Sequence, residues 1–336
     1  MKKISLLLST ILLTLVLVSC QNIKNDNNNY ETVQIAQTVS ISNGKDDKGN
    51  DIYGKKLVVE DFRINPKRVV TFSYGVLDML DFVGLENAKI EALALPKSNI
   101  PKSLEKYNDE KYINAGTLFD PLYEALTIFN PDLIILDGRT ANLYEKFKKE
   151  FPGVDILDAT NTTYSLKNHY DIVNNLAKIF KSVEKQLLNE MENIAFEILK
   201  IKQVTKNHKA LFLMSNGPDI SVSGVGGRYQ TLHLDFGFQE ADPNGQVGAE
   251  HGNLTRLEYL GLINPEIIFV MDRAKAIGDD SGFNNLKNEP QFKELDAFKN
   301  NKIYELSAEA WYIVTGGFTS TRQMINDILK FVNDNN

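Results

Sequence analysis

The chain has 336 residues, 43% of them apolar and 24% charged, with a formal net charge of −7. That length suits two domains, and that apolar content can fill two cores. The acidic balance argues against a nucleic-acid partner, and the single cysteine, Cys20, excludes an intramolecular disulfide.

The amino terminus reads as a processing signal. Lys2 and Lys3 precede an apolar run from Ile4 to Val18, which is short for a membrane span and lacks a stop-transfer flank. The run ends Leu17-Val18-Ser19-Cys20, which resembles a bacterial lipobox. That resemblance implies cleavage before Cys20, lipidation of Cys20 and a folded part held by lipid outside the cytoplasmic membrane. Asn22 to Asn29 is polar and low in complexity, as a flexible tether would be.

From Tyr30 to Glu60 the alternation of Val33, Ile35, Val39 and Ile41, answered by Leu57 to Val59 across a polar Asn43–Gly49 turn, predicts a β-hairpin. Asn65-Pro66-Lys67-Arg68 then leads into the buried strand Val69 to Phe72 and a helix from Gly75 to Phe82. Ser73 and Tyr74 fall at the joint, on the ligand side of such a sheet. Strands follow at Ala92 to Leu95, before Pro96-Lys97, and at Tyr112 to Gly116. A helix from Leu143 to Phe151 and a strand from Val154 to Leu157 close this lobe. Alternation of strand and helix predicts a parallel sheet.

One stretch is used twice. Glu124-Ala-Leu-Thr-Ile-Phe-Asn-Pro-Asp-Leu-Ile-Ile-Leu-Asp-Gly-Arg139 aligns without a gap on Glu258-Tyr-Leu-Gly-Leu-Ile-Asn-Pro-Glu-Ile-Ile-Phe-Val-Met-Asp-Arg273. Each copy reads as a short helix, an Asn-Pro stop and a buried strand, since Pro131 and Pro265 cannot continue a helix. Leu133 to Leu136 and Ile267 to Val270 are apolar without alternation, as in parallel strands covered on both faces. An arginine then follows each strand, where open α/β sheets place their ligands. Two similar lobes, each offering an arginine to a shared cleft, are expected. The chain holds seven arginines against thirty lysines, and a planar guanidinium suits bound oxyanions.

Two helical segments, Leu166 to Phe180 and Val183 to Lys206, connect the lobes without a Gly- or Pro-rich linker, which predicts a stiff pair with modest closure. The second lobe opens with strands Ala210 to Met214 and Ile220 to Ser223. Gly224-Val-Gly-Gly-Arg228 then opens a helix through Phe236. This glycine-rich turn lacks the Lys-Ser/Thr of a P-loop and does not fit a dinucleotide fingerprint, but it can present Arg228 to the cleft. Lys302 to Leu306 is a further strand, Glu309-Ala-Trp-Tyr312 follows, and Phe318 to Phe331 closes the chain as helix. Of the four histidines, His169 and His208 read as solvated and His233 as structural. His251, in the polar loop Asp242 to Asn253, is the candidate ligand. There is no Gly-x-Ser-x-Gly elbow, no His-Glu-x-x-His and no metal-ligand spacing, so the features point to binding rather than catalysis.

From the lipobox onward the chain resembles the substrate-binding lipoproteins of bacterial ABC importers for ferric siderophores, above all the catecholate branch of enterobactin-type and petrobactin-type binders. The resemblance is carried by Asn65-Pro-Lys-Arg-Val-Val70, Asn130-Pro-Asp-Leu-Ile-Ile135 with Gly138-Arg139, Gly227-Arg228, His251-Gly252, Met271-Asp-Arg273 and Trp311-Tyr312. It implies an α/β fold of two Rossmann-like lobes with parallel-rich sheets joined by a long connecting helix, with the ligand cleft between them. The expected division is a signal over 1–20, tether and hairpin over 21–65, lobes over 66–165 and 207–336, and a connector over 166–206.

The resemblance further implies that Arg139, Arg228 and Arg273 surround a trianionic ferric catecholate, with Tyr74 and Lys97 as further siderophore contacts. His251 and Tyr312 would ligate Fe(III) directly when a siderophore supplies four oxygens. Glu124 and Glu258 would dock on an ABC permease served by its ATPase. No permanent cofactor is implied, Fe(III) arrives only as cargo, and a monomer is expected. A haem, cobalamin or hydroxamate binder of the same fold is the nearest alternative, and an extracytoplasmic metal-dependent hydrolase a distant one.

Overall fold

A computed structural model describes residues 30–242, 253–276, 278 and 282–335. The signal, Cys20, most of the tether and His251 lie outside these residues. Glu31–Asn336 forms one compact unit.

The hairpin forms as its alternation requires. β1 (Thr32–Lys45) and β2 (Asp51–Arg63) pair antiparallel, and Asp46 closes the turn by accepting from the Lys48 and Asn50 amides at 2.9 and 2.8 Å. Gln37 fastens the hairpin to the first lobe. Its amide donates to the Ile156 carbonyl at 2.9 Å and accepts from the Asp158 amide at 2.8 Å.

In the first lobe, β3 (Arg68–Thr71), β4 (Ala92–Leu95), β5 (Ile113–Asn114), β6 (Leu133–Leu136) and β7 (Asp155–Asp158) make a wholly parallel sheet in the order β5-β4-β3-β6-β7. The chain leaves β3 for one side and returns on the other at β6. The switch point between those two strands is where such sheets open a ligand crevice. In the second lobe, β8 (Lys209–Asn216), β9 (Asp219–Ser223), β10 (Gln239–Glu240), β11 (Asn253–Thr255), β12 (Ile268–Asp272) and β13 (Ile303–Glu305) form a mixed sheet. Its order is β11-β9-β8-β12-β13, with β10 beside the start of β8. β8, β12 and β13 are parallel, while β9 runs antiparallel to β8. Only Gly217 and Pro218 join β8 to β9, too few residues for a parallel crossover.

The repeated stretch folds alike in both lobes. Helices Tyr123–Phe129 and Leu257–Ile263 end at Asn130 and Asn264, whose φ angles are 50° and 40°. Asparagine tolerates this left-handed conformation, and the following proline sends each chain into β6 or β12. Every residue of those two strands is buried.

The connector is helix, Leu166–Ile179 and Glu184–Thr205. The closing helix Phe318–Asp334 packs on it, with Arg322 Nε 2.5 Å from Glu190 and Nη1 3.1 Å from Glu197. One apolar cluster includes Leu77 and Ile135 of the first lobe, Met191 and Ile194 of the connector, Phe212 and Phe269 of the second lobe, and Phe331 of the closing helix. The lobes therefore share a core.

Two readings are corrected. The helix expected from Arg228 through Phe236 is a single turn, Thr231–Leu234, because Gly237 at φ 86° redirects the chain into β10. His169 is not solvated but fully buried, with Nδ1 3.0 Å from the Tyr164 hydroxyl, which also lies 3.2 Å from Thr321 Oγ1. It lies on the inner face of its helix with Val173 and Leu176, a placement that the polar residues around it in sequence conceal. His208, half-buried, sets its ring edge-on to Phe331. His233 is structural as expected, its Nδ1 3.0 Å from the Phe238 carbonyl.

Burial pushes the His169 pKa down to about 3. The unfolded chain would protonate this imidazole near pH 6.5 while the folded chain would not. The stabilisation is thus complete above about pH 6.5 and is lost as pH falls toward 3, at a slope approaching about 1.4 kcal/mol per pH unit. Urea titrations of the parent and of His169→Gln between pH 7 and 5 should show stability falling less steeply in the variant. Parallel curves would contradict this role.

Candidate functional site

A cleft of about 330 Å³ lies between the lobes. The first lobe supplies Ser73, Gly75, Phe119, Asp137, Arg139 and Asn161, and the second supplies Arg228, Arg273, Tyr312 and Thr315. Ser73 and the Asp137-Gly138-Arg139 turn follow β3 and β6, the pair at the switch point.

Each arginine is held by local structure that the sequence makes possible. Arg139 lies in a tight turn closed by Thr140, whose amide donates to the Asp137 carbonyl at 2.7 Å and whose hydroxyl accepts from the Asp137 amide at 3.1 Å. Glycine at 138 leaves room there, since a Cβ would stand 2.7 Å from Thr162 Cγ2 and force it to shift. Arg228 follows the glycine-rich turn, in which Gly226 takes φ 88° and a Cβ on Gly227 would lie 2.6 Å from Ser223 Oγ. Arg273 begins a short helix whose start is capped by buried Asp272. One oxygen of that carboxylate accepts from the Ala274 amide at 3.1 Å and the other from the Phe283 amide at 2.8 Å.

The three guanidiniums converge on Tyr312. Arg273 Nε donates to its hydroxyl at 2.9 Å, and Arg273 Nη1 donates to Asn216 Oδ1 at 2.8 Å. Arg228 Nη2 donates to the Tyr312 carbonyl at 2.9 Å. The guanidinium carbons of Arg228, Arg273 and Arg139 stand 4.7, 5.4 and 5.9 Å from the centre of its ring. The electron-rich ring face is an attractive neighbour for each cation. Tyr312 sits in a wide, π-helical turn, Glu309–Ile313, a local form common at functional sites. Arg139 also covers Phe119 at 5.7 Å. Asp137 is the one carboxylate among the described residues lining the cleft. Burial pushes its carboxyl above the usual range, against the pull of the Gly138 amide and of Arg139 and Arg228.

The fold thus brings together Arg139, Arg228, Arg273 and Tyr312. It does not bring Tyr74 or Lys97 to the cleft. Tyr74 is buried, and its hydroxyl donates to the carbonyls of Pro96 and Ser98, both at 3.0 Å. Lys97 donates to the Asn108 and Asp109 carbonyls at 3.2 and 2.7 Å, in a separate cavity. Glu124 and Glu258 are exposed in the first turns of the matched helices. Phe119, Asp137 and Asn161 line the cleft without having been singled out; Asp137 lies within the first copy of the repeat, but its counterpart in the second copy is Met271.

The periplasmic binding protein family profile matches residues 69–310. The petrobactin-binding protein YclQ of Bacillus subtilis is 30% identical over 331 residues, covering 98% of each chain. Its crystal structure superposes with a TM-score of 0.73 over 87% of this chain and 98% of that one. The catecholate-siderophore binding protein VctP of Vibrio cholerae, 27% identical, superposes with a TM-score of 0.72 over 87% of this chain and 99% of its own. The ferric-anguibactin-binding protein FatB of Vibrio anguillarum is 28% identical over 278 residues, covering 79% of this chain and 82% of its own.

Proposed function

The chain belongs to the periplasmic binding protein family, and from that premise we propose that it is the substrate-binding component of an ABC importer, carrying a ferric catecholate siderophore to a membrane permease. The observation that carries this reading is the convergence of Arg139, Arg228 and Arg273 on the ring of Tyr312. Three guanidiniums in one cleft repel one another. A ferric tris-catecholate, with three negative charges, removes that repulsion and accepts charge-assisted hydrogen bonds from each. Less anionic hydroxamate complexes leave the repulsion in place. Family membership supports an extracytoplasmic location and a binding role rather than a catalytic one.

Where a siderophore gives iron only four oxygens, Tyr312 and His251 are proposed to complete the octahedron. A phenolate oxygen is a hard donor suited to Fe(III), and an imidazole nitrogen is an acceptable one. Arg273 would then have to release the Tyr312 hydroxyl, or share its oxygen with the metal. Glu124 and Glu258 are proposed to meet the permease, and lipid on Cys20 to hold the protein at the membrane.

Trp311 precedes Tyr312 and is buried, its Nε1 donating to Asp327 at 3.1 Å, so its emission reports on the cleft. Titration with ferric catecholates should quench it saturably at sub-micromolar ligand. Arg139→Gln or Arg273→Gln should weaken every anionic complex about tenfold or more. Indifference to whether the complex is tris-catecholate or trihydroxamate would sink the assignment.

His251→Ala and Tyr312→Phe should weaken tetradentate complexes far more than hexadentate ones, as read by calorimetry and by the charge-transfer band. Equal losses would rule out direct ligation. In cells, Glu124→Ala combined with Glu258→Ala should leave ligand binding intact and abolish iron uptake, while Cys20→Ala should move the protein from the membrane to the soluble fraction. Normal uptake, or unchanged fractionation, would remove the corresponding attachment.

A further inference from the structure

Among the described residues lining the cleft, Asn161 is the one side chain with both polar atoms buried and without a hydrogen-bond partner. Two other neutral side chains of the lining, Ser73 and Thr315, are already engaged. Ser73 accepts from the Val76 amide at 3.2 Å, and the Thr315 hydroxyl donates to the Trp311 carbonyl at 2.9 Å. A buried amide with neither donor nor acceptor satisfied is costly, so the site is built for something that completes it.

The loop carrying Asn161 is pinned from both lobes. It follows β7, where the Thr160 amide donates to Asp158 Oδ1 at 3.0 Å. The Thr163 carbonyl accepts from Asn168 Nδ2 at 3.1 Å and from Gln230 Nε2 at 3.4 Å. The Tyr164 amide donates to the Arg228 carbonyl at 3.2 Å. Gly316 borders the side chain, and a Cβ there would lie 3.6 Å from Asn161 Nδ2. Asn161 is therefore held in position before a ligand arrives.

We infer that Asn161 is a specificity-determining residue that reads a neutral carboxamide of the ligand scaffold, while the arginines read the iron-bound oxygens. The inference rests on the siderophore reading above and divides the cleft into a charged part and a neutral one. The donor and acceptor inventory of Asn161 favours a neutral group over a charged one. An oxyanion facing Asn161 would satisfy Nδ2 but repel Oδ1, and an ammonium would do the reverse. A neutral amide can accept from Nδ2 through its carbonyl or donate to Oδ1 through its N–H without repelling the other atom, and an amide is the linkage that joins a catechol ring to a polyamine or peptide scaffold.

The test compares two ferric complexes of equal charge by calorimetry, iron with three catechols and iron with three N-methyl-2,3-dihydroxybenzamides. Asn161→Leu should weaken the benzamide complex about tenfold, the loss of one good polar contact, and leave the catechol complex within about twofold. Asn161→Gln, which keeps both groups, should retain part of the preference. The ligand-free melting temperature of Asn161→Leu should not fall, since no satisfied hydrogen bond is removed. Equal weakening of both complexes, an unchanged benzamide affinity, or a clear fall in the ligand-free melting temperature would overturn the inference, the last by showing an amide already satisfied by ordered water. If the parent protein binds neither complex, the catecholate reading itself falls, and the inference with it.

Discussion

The cleft depends on two carboxylates that join the lobes in opposite directions. Asp78, on the helix Tyr74–Val83 of the first lobe, accepts from the Ser320 amide at 3.0 Å in the first turn of the closing helix. Glu309, in the second lobe, accepts from the Lys102 and Ser103 amides at 3.0 and 3.1 Å, at the start of the 3₁₀ helix Lys102–Asn108 of the first. Each lobe thus satisfies amides that the other's helix leaves unpaired, and places negative charge at the positive end of its dipole. Asp78 is almost fully buried, and burial pushes its carboxyl above the usual range. Close approach is possible because a Cβ on Gly75 would stand 2.5 Å from the Thr315 carbonyl, and one on Gly317 would collide with Asp78. The contact that joins the lobes also sets Thr315 and Gly316 in the lining of the cleft.

On that platform the electrostatics are arranged around an aromatic ring. Tyr312 gives Arg273 a hydroxyl, Arg228 a carbonyl and all three arginines a π face. These contacts lower the cost of gathering three cations without neutralising them, as a salt bridge to a carboxylate would. Asp137 is the one carboxylate among the described residues of the lining, and burial opposes its ionisation. The described lining therefore presents a net positive field to an incoming anion. Tyr229, stacked on Phe212 at 4.1 Å, gives that field an apolar backing, which strengthens it.

The repeat made much of this legible in the sequence. Asn-Pro is a local signal: it ended both helices at left-handed asparagines and placed an arginine after each buried strand. The features that were missed depend on distant partners. Asn161 looks like an ordinary loop residue until the turn before Arg139, the Arg228 turn and Gly316 are folded around it. Tyr74 stands between cleft residues in sequence and Lys97 follows β4, yet their donors find backbone carbonyls on other segments, partners that the sequence does not reveal. His169 was misread because polar neighbours along a helix occupy its other faces, and only the angular position decides burial. The mixed second sheet, in turn, follows from the short Gly217-Pro218 turn.

The repeat also changes meaning once folded. In sequence, Glu258 and Arg273 stand at opposite ends of the second copy. In space the helix runs back along the sheet before the Asn264-Pro265 stop reverses it into β12. A surface cavity joins Gly217 and Pro218, at the carboxyl end of β8, to Arg256, Leu257 and Glu258. That carboxyl end is the edge on which Arg273 meets Asn216. In the first lobe, Phe119, four residues ahead of the helix bearing Glu124, already lines the cleft. A helix antiparallel to the strand it precedes must bring its first turn to that strand's end. The groups proposed to hold ligand and those proposed to meet a permease therefore share one edge of each sheet. A shift of one lobe at that edge would move both together.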